Sequence, residues 1–187
     1  MIDGHVQFID DRSITFHTIT YLKGKVSDLD KVLATTLAIK DLDFPMGWLY
    51  KGQYWNHNNL DVVGILQYSW PYASAAQKKA LAIELNKMVH WMVDESLQPD
   101  GSFKRVEADA SNEDKIYFGR AFLARAGYFD KSKRFWTDQD FPEAEGVRQR
   151  IIGYIEKHHK SSAMGGKLYG DVLEELNYTP PSSGGGK

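Results

Sequence analysis

Apolar residues recur three or four positions apart over most of the chain, which is the spacing of one face of a helix. The clearest stretch is 75–97, where Ser74 stands at the N-cap position. Weaker spacing of the same kind predicts helices over about 29–42, 59–68, 113–128, 142–159 and 168–176. Turns rich in proline and glycine separate these segments. The pattern predicts an all-α fold.

The segment Val6–Tyr21 is less clear, because its β-branched residues are dense and propensity alone predicts a β-hairpin there. A repeat favours a helix instead. Asp3-Gly4 leads through a polar loop into an apolar segment, in the same way that Asp100-Gly101 leads into the helix over 113–128. We therefore expect a buried helix over about 14–22, with a short N-terminal β element as the alternative.

Short apolar helices alternate with longer amphipathic ones on a period of about 50 residues, which is typical of stacked helical hairpins. We expect one helical domain over 1–178. The remaining residues, 179–187, are rich in proline, serine and glycine and read as a flexible tail.

Charge and composition limit the classes of partner that we expect. The 23 basic and 25 acidic residues give a formal net charge of −2, and no basic stripe stands out, so nucleic acid is not expected as a partner. No apolar run is long enough to cross a membrane, and the first residues lack the features of a signal peptide. The sequence predicts a soluble chain and leaves its compartment unknown.

Several kinds of site are not expected. The chain has no cysteine, which excludes disulfides and thiolate metal sites. It also lacks a phosphate-binding glycine loop, a dinucleotide-binding glycine motif and a nucleophile elbow. We expect neither a cofactor nor a bound metal. His17 and His90 lie among apolar residues and are interpreted as packing histidines.

The alternation of inner and outer helices, joined by loops such as Gln98–Phe103, resembles the α/α toroid of six-hairpin carbohydrate-active proteins. The chain holds roughly half of the helices that six hairpins need. The resemblance therefore implies helical hairpins of an incomplete α/α toroid. Inner helices at an open end would stay exposed, so a homodimer that covers them is a further expectation.

Within the toroids, the chain is most similar to alginate-lyase-like polysaccharide lyases. The similarity rests on Asn56-His57-Asn58-Asn59 at the start of an inner helix, then on Asp100-Gly101 with Glu107, and then on Tyr117-Phe118 before Arg120. The chain departs from the family in three places. Its histidine precedes the asparagine pair, Phe118 stands where a histidine is common, and the arginines ahead of the tyrosine are missing.

A lyase must neutralise a uronate carboxylate, remove the adjacent proton and protonate the leaving oxygen. The resemblance implies a catalytic set of Asn56, His57, Asn58, Glu107, Tyr117 and Arg120. The expected substrate-binding residues are Trp48, Tyr54, Trp55, Asp100 and Lys104. The structural alternatives are that His57 and Asn58 cap their helix, that Tyr117 is an ordinary aromatic and that the tryptophans belong to the core.

The expected function is that of a carbohydrate-active domain, a polysaccharide lyase or glycoside hydrolase acting on acidic, uronic-acid-containing glycans. Its partner would be a polysaccharide or oligosaccharide. A hydrolase would need two carboxylates across a cleft, with Asp61 and Asp100 among the candidates. The alternative is a non-catalytic helical-repeat domain that binds a glycan or a protein.

Overall fold

The computed structural model describes residues 12–106 and 112–158, and within these ranges the chain is all-α. The helices are α1 (Arg12–Tyr21), α2 (Leu29–Ala38), α3 (Asn56–Ser69), α4 (Ala75–His90), α5 (Asn112–Arg125) and α6 (Ala144–His158). A π-helical turn, Trp91–Ser96, continues α4. The predicted helix over 168–176, the tail 179–187 and residues 1–11 lie outside the described ranges.

The helical interpretation of the N-terminal segment is confirmed by α1. Its β-branched residues are tolerated because one face of the helix, with Phe16 and Ile19, is buried in the core. A β-hairpin over the described residues 12–21 is therefore wrong. Propensity is overridden here by the packing of this face.

The second helix is shorter than predicted, because a distant side chain ends it. The indole N–H of Trp48 donates to the carbonyl oxygen of Thr36 at 2.8 Å. A continuing α-helix would need that oxygen for the backbone N–H of Lys40, which bonds the carbonyl of Leu37 instead. The helix therefore stops at Ala38 rather than near residue 42.

The third helix is the centre of the fold, since eleven of its 14 residues are buried. Helix α1 packs on one side of it and α5 on another. At its start His57 meets Ser13 and Phe118, and further along Gly64 packs against Phe16 and Arg125. These pairs show that α1, α3 and α5 run in the same direction.

The other helices return along the outside of this parallel trio. Gly24, after α1, packs against Tyr68 near the end of α3, and from there α2 runs back to Trp48. Helix α6 likewise begins near Tyr128, whose hydroxyl donates to Glu143, and later passes Gly101. The loops 43–55 and 97–106 consequently lie together at the end where α3 starts. We call these two loops the rim.

The rim depends on a glycine at position 101. Gly101 has a φ of 91°, and a Cβ there would overlap the carbonyl oxygen of Arg150 in α6. We expect Gly101→Ala to lower the free energy of unfolding by about 2–4 kcal/mol, measured by urea denaturation.

Gly153→Ala is the matched control, because nothing lies within 4 Å of a Cβ at this position in α6. Alanine has the higher helix propensity, so this change should raise the free energy of unfolding by about 0.5–1 kcal/mol. Equal stability of the two variants would contradict the packing of the rim against α6.

Candidate functional site

Two side chains at the start of α3 hydrogen-bond the loops of the rim. Asn56 is buried, and its side-chain N–H donates to the carbonyl oxygen of Lys104 at 3.0 Å. Its side-chain oxygen accepts a hydrogen bond from the Ser96 hydroxyl at 2.7 Å. This amide therefore fastens the second rim loop to the start of α3.

Asn58 does the same for the first rim loop. Its amide N–H groups donate to the carbonyl oxygens of Trp48 and Leu49, at 3.2 and 3.1 Å. Its amide oxygen accepts from the guanidinium of Arg12 at 2.7 Å. Both Asn56 and Asn58 are buried with their amides occupied, so the neutralising role that the resemblance implies for them does not hold. These asparagines position the rim and do not face a substrate.

His57, between the two asparagines, lies on a partly open face of α3, with 22% of its side chain exposed. Its ring stacks on Phe118 with centroids 4.3 Å apart and meets the edge of Trp55 at 4.9 Å. Its Nε2 atom lies 3.4 Å from the Ser13 hydroxyl oxygen and 3.6 Å from a carboxylate oxygen of Asp61. The aromatic contacts hold the ring in one orientation.

Asp61 is the buried charge beneath His57, with 1% of its side chain exposed. The guanidinium of Arg12 lies 3.7 Å from the same carboxylate oxygen. Burial raises the pKa of Asp61 above its ordinary value, and electrostatic interaction with His57 and Arg12 opposes part of that shift. The spacing of four residues between His57 and Asp61 is the sequence signal for this pair, since such residues share a helix face.

This arrangement differs from a nucleophile–histidine–carboxylate triad. In a triad the carboxylate and the nucleophile bind opposite nitrogens of the histidine ring. Here the Ser13 hydroxyl and the Asp61 carboxylate both approach Nε2 of His57. Ser13 also hydrogen-bonds Asp61, which lowers the pKa of that carboxyl. The cluster therefore fixes the position of the imidazole and does not activate Ser13.

Tyr117 and Arg120 lie beside this cluster on α5. Tyr117 is 44% exposed, and its ring contacts the edge of Phe118, 5.3 Å between centroids. The guanidinium of Arg120 is buried and lies 5.3 Å from the centre of the Tyr117 ring. The Phe118 ring thus lies between His57 and Tyr117. The Arg120 guanidinium packs on the buried side of the Tyr117 ring. Glu107 lies outside the described residues.

An open cleft of about 520 Å³ lies on the other side of the rim. Two half-buried rings, those of Tyr54 and Trp91, line it and meet edge to face at 6.2 Å. We call it the Tyr54–Trp91 cleft. The Tyr54 hydroxyl donates to Glu84 at 3.3 Å, and burial, together with the nearby Glu84 charge, raises the pKa of Tyr54 to about 12. Tyr54 is therefore neutral and serves as a hydrogen-bond donor.

The charges around this cleft are balanced. Glu84 pairs with Lys87 at 2.9 Å and lies 3.9 Å from Lys40. Lys40 also pairs with Asp41 at 2.6 Å. Two further lining residues, Glu95 and Lys104, form no ion pair with any described residue. The Glu95 carboxylate and the Lys104 ammonium group are therefore not neutralised by any described side chain.

The predicted substrate-binding residues divide into three groups. Tyr54 and Lys104 line the cleft, and their role in binding a substrate stays a prediction. Trp48 and Trp55 are buried in the protein, so neither indole can stack on a sugar. The Asp100 carboxylate is exposed and accepts hydrogen bonds from the backbone N–H and hydroxyl of Ser102, which stabilise a turn and lower the pKa of Asp100.

The interpretation of His17 and His90 as packing histidines is wrong. His17 and His90 are exposed and not packed in the core. His17 stacks on Tyr21, and His90 lies 3.4 Å from Asp94. Sequence reasoning missed Trp91 as a cleft residue, together with Glu84 and Lys87, although these three residues are three and four positions apart and so share one helix face.

Two further observations concern metals and membranes. Within residues 12–106 and 112–158, no group of three or more histidine, aspartate or glutamate side chains is arranged to hold a metal ion. In the same part of the chain, no helix is both long enough and apolar enough to cross a membrane.

The buried carboxyl of Asp61 gives a prediction about pH. Carboxyl ¹³C NMR titration should give Asp61 a pKa above its ordinary 3.8, and Arg12→Met should raise it further by removing a positive charge. Exposed Asp140, hydrogen-bonded to Lys131, is the internal control and should titrate below 3.8. Between pH 3.8 and the Asp61 pKa, the native state binds more protons than the unfolded state, so this group lowers stability as pH rises. An Asp61 pKa below that of Asp140 would contradict the burial of the cluster.

Comparison with known proteins places the chain in no family. No protein-family model, no curated protein and no solved structure matches the chain. What this chain does must therefore be argued from its own rim, cleft and buried cluster.

Proposed function

We propose that the chain is a carbohydrate-active domain that binds a uronic-acid-containing oligosaccharide at the rim. The observation that carries this proposal is the Tyr54–Trp91 cleft, in which two half-buried aromatic rings lie beside Lys87, Lys104 and Glu95. Sugar rings present flat C–H faces that stack on such aromatic surfaces. Carboxylates and ammonium groups at the edge of the rings accept from and donate to sugar hydroxyls.

The acidic character of the proposed ligand rests on the charges. Lys104 offers an ammonium group without a carboxylate partner among the described residues. Helices α3 and α5 also begin at the rim, and the start of a helix carries a partial positive charge. Both favour a uronate carboxylate on the Lys104 side of the cleft, with sugar hydroxyls beside the Glu95 carboxylate.

We propose β-elimination as the reaction, with His57 as the base and Tyr117 as the acid. His57 and Tyr117 are partly exposed titratable side chains on opposite sides of Phe118. Asp61 would stabilise the imidazolium that forms when His57 takes the proton.

There are two alternatives to β-elimination at this site. Glu84 and Glu95 both line the cleft, which favours glycoside hydrolysis as the second candidate reaction, since hydrolysis needs two carboxylates. A domain that binds the glycan without changing it is the other. The measurements below separate binding from turnover.

Binding is tested by calorimetric titration with a panel of oligouronates and their neutral counterparts. Trp91→Ala should raise the Kd about tenfold, because a lost stacking contact costs about 1.4 kcal/mol. The control is Trp70→Ala, since Trp70 is equally half-buried but packs against Phe135 outside the cleft lining. Tighter binding of the neutral sugars, or an equal loss in both variants, would contradict the proposed site.

Turnover is tested by the ultraviolet absorbance of the unsaturated sugar that β-elimination creates. His57→Ala should reduce the rate by about 100-fold or more, while the Kd stays within a factor of about two. The exposed His90 provides the control, and His90→Ala should keep full activity. Release of saturated reducing ends would favour the hydrolase, and binding with neither product would leave the non-catalytic domain.

A further inference from the structure

A second pocket, of about 130 Å³, lies at the opposite end of α3 and α5 from the rim. Its lining residues are Gln67 near the end of α3, Ala124 and Arg125 at the end of α5, and Lys133 in the 3₁₀ turn Lys131–Lys133. We call it the Arg125 pocket. It lies outside the cluster and the cleft already described, and it brings two cationic side chains and one amide together.

Arg125 is held in place by the body of the protein. Its guanidinium lies 5.3 Å from the centre of the Phe16 ring. It also packs against Gly64, where a Cβ would come within 2.9 Å of one guanidinium nitrogen. Despite this half-buried position, the guanidinium makes no hydrogen bond or ion pair with any described residue. Its donors are therefore positioned but not used.

The surroundings of the pocket remove much of the negative charge that would oppose an anion. The end of a helix normally presents carbonyl oxygens with partial negative charge. At the end of α5, the carbonyls of Phe122, Leu123 and Ala124 accept from the backbone N–H groups of Ala126, Tyr128 and Gly127. In the turn that follows, the carbonyls of Ala126 and Gly127 accept from the side chains of Trp136 and Arg134, at 2.8 and 2.9 Å. Asp130 is a neighbouring carboxylate, 3.9 Å from the Lys133 ammonium, at the outer limit of an ion pair.

We propose that the Arg125 pocket binds a tetrahedral oxyanion, a sulfate or phosphate group, either free or as an ester on a sugar. The pocket has room for about four water molecules, enough for one such group. A planar guanidinium can give two parallel hydrogen bonds to its oxygens, and a lysine supplies a point charge. The Gln67 amide adds a neutral donor.

The test is a titration of the full chain with sodium sulfate, sodium phosphate and a sulfated monosaccharide, against sodium chloride at equal ionic strength. Backbone amide NMR shifts of residues 67, 124, 125 and 133 report on the pocket. We expect saturable shifts with both oxyanions and none with chloride. A lower Kd for the sugar sulfate than for free sulfate would identify the ester as the source, and the reverse would identify the free ion.

The variants are chosen so that folding does not limit the result. Lys133 is exposed, so Lys133→Gln should fold normally and raise the Kd about tenfold, the cost of one charge-assisted hydrogen bond. Arg125→Lys keeps the charge, loses the paired hydrogen bonds and should weaken binding by a similar factor. Lys51→Gln, which removes a cation stacked on Tyr50 at the rim, is the matched control and should leave the Kd unchanged.

The proposal fails if the shifts do not saturate, if chloride produces the same shifts, or if Lys51→Gln weakens binding as much as Lys133→Gln. Such results would mean that the ions screen the surface charge and occupy no site. Because the pocket and the rim lie at opposite ends of α3, glycan binding at the rim can fail while this titration succeeds, and the reverse.

Discussion

The side chain of Asn58 is the connection on which the rest of the molecule depends. Its amide joins α3 to the first rim loop through the carbonyls of Trp48 and Leu49, and to α1 through Arg12. Arg12 in turn lies against the buried Asp61. Removing one partner of such a group leaves a charge or a polar atom without compensation in the interior, which costs several kcal/mol. The cluster therefore fixes the position of α1 on α3 and of the rim above both.

The burial of Asn56 and Asn58 also determines which side chain at the start of α3 is exposed. Successive residues of a helix lie about 100° apart around its axis, so Asn56 and Asn58 cannot both face inward unless His57 faces elsewhere. The imidazole is consequently partly exposed, held by Phe118 and Trp55 and backed by Asp61. Chemistry at the rim would thus use a base whose position is set by buried residues that never touch the substrate.

The parallel direction of α1, α3 and α5 gives the bundle two different ends. The starts of α3 and α5 lie at the rim, where helix dipoles favour an anion, together with the aromatic rings of the cleft. At the far end the dipoles oppose an anion, but Trp136 and Arg134 bind the carbonyls of the turn that follows α5, and Arg125 supplies a full charge. The two proposals, an acidic glycan at the rim and an oxyanion at the far end, therefore rest on different physical features of the same bundle.

The sequence by itself determined that the described chain is all-α and where most of its helices begin, because helix signals are local, whereas the end of α2 depends on the distant Trp48. Ser74 and Gln77 form the reciprocal cap that starts α4, and the repeat identified α1 as a helix despite its β-branched residues. Only the tertiary structure decided that Asn56, Asn58, Trp48 and Trp55 are buried and that Trp91 and Arg125 line pockets. Burial and hydrogen-bond partners arise from contacts between residues as distant in sequence as His57 and Phe118, which no local pattern encodes.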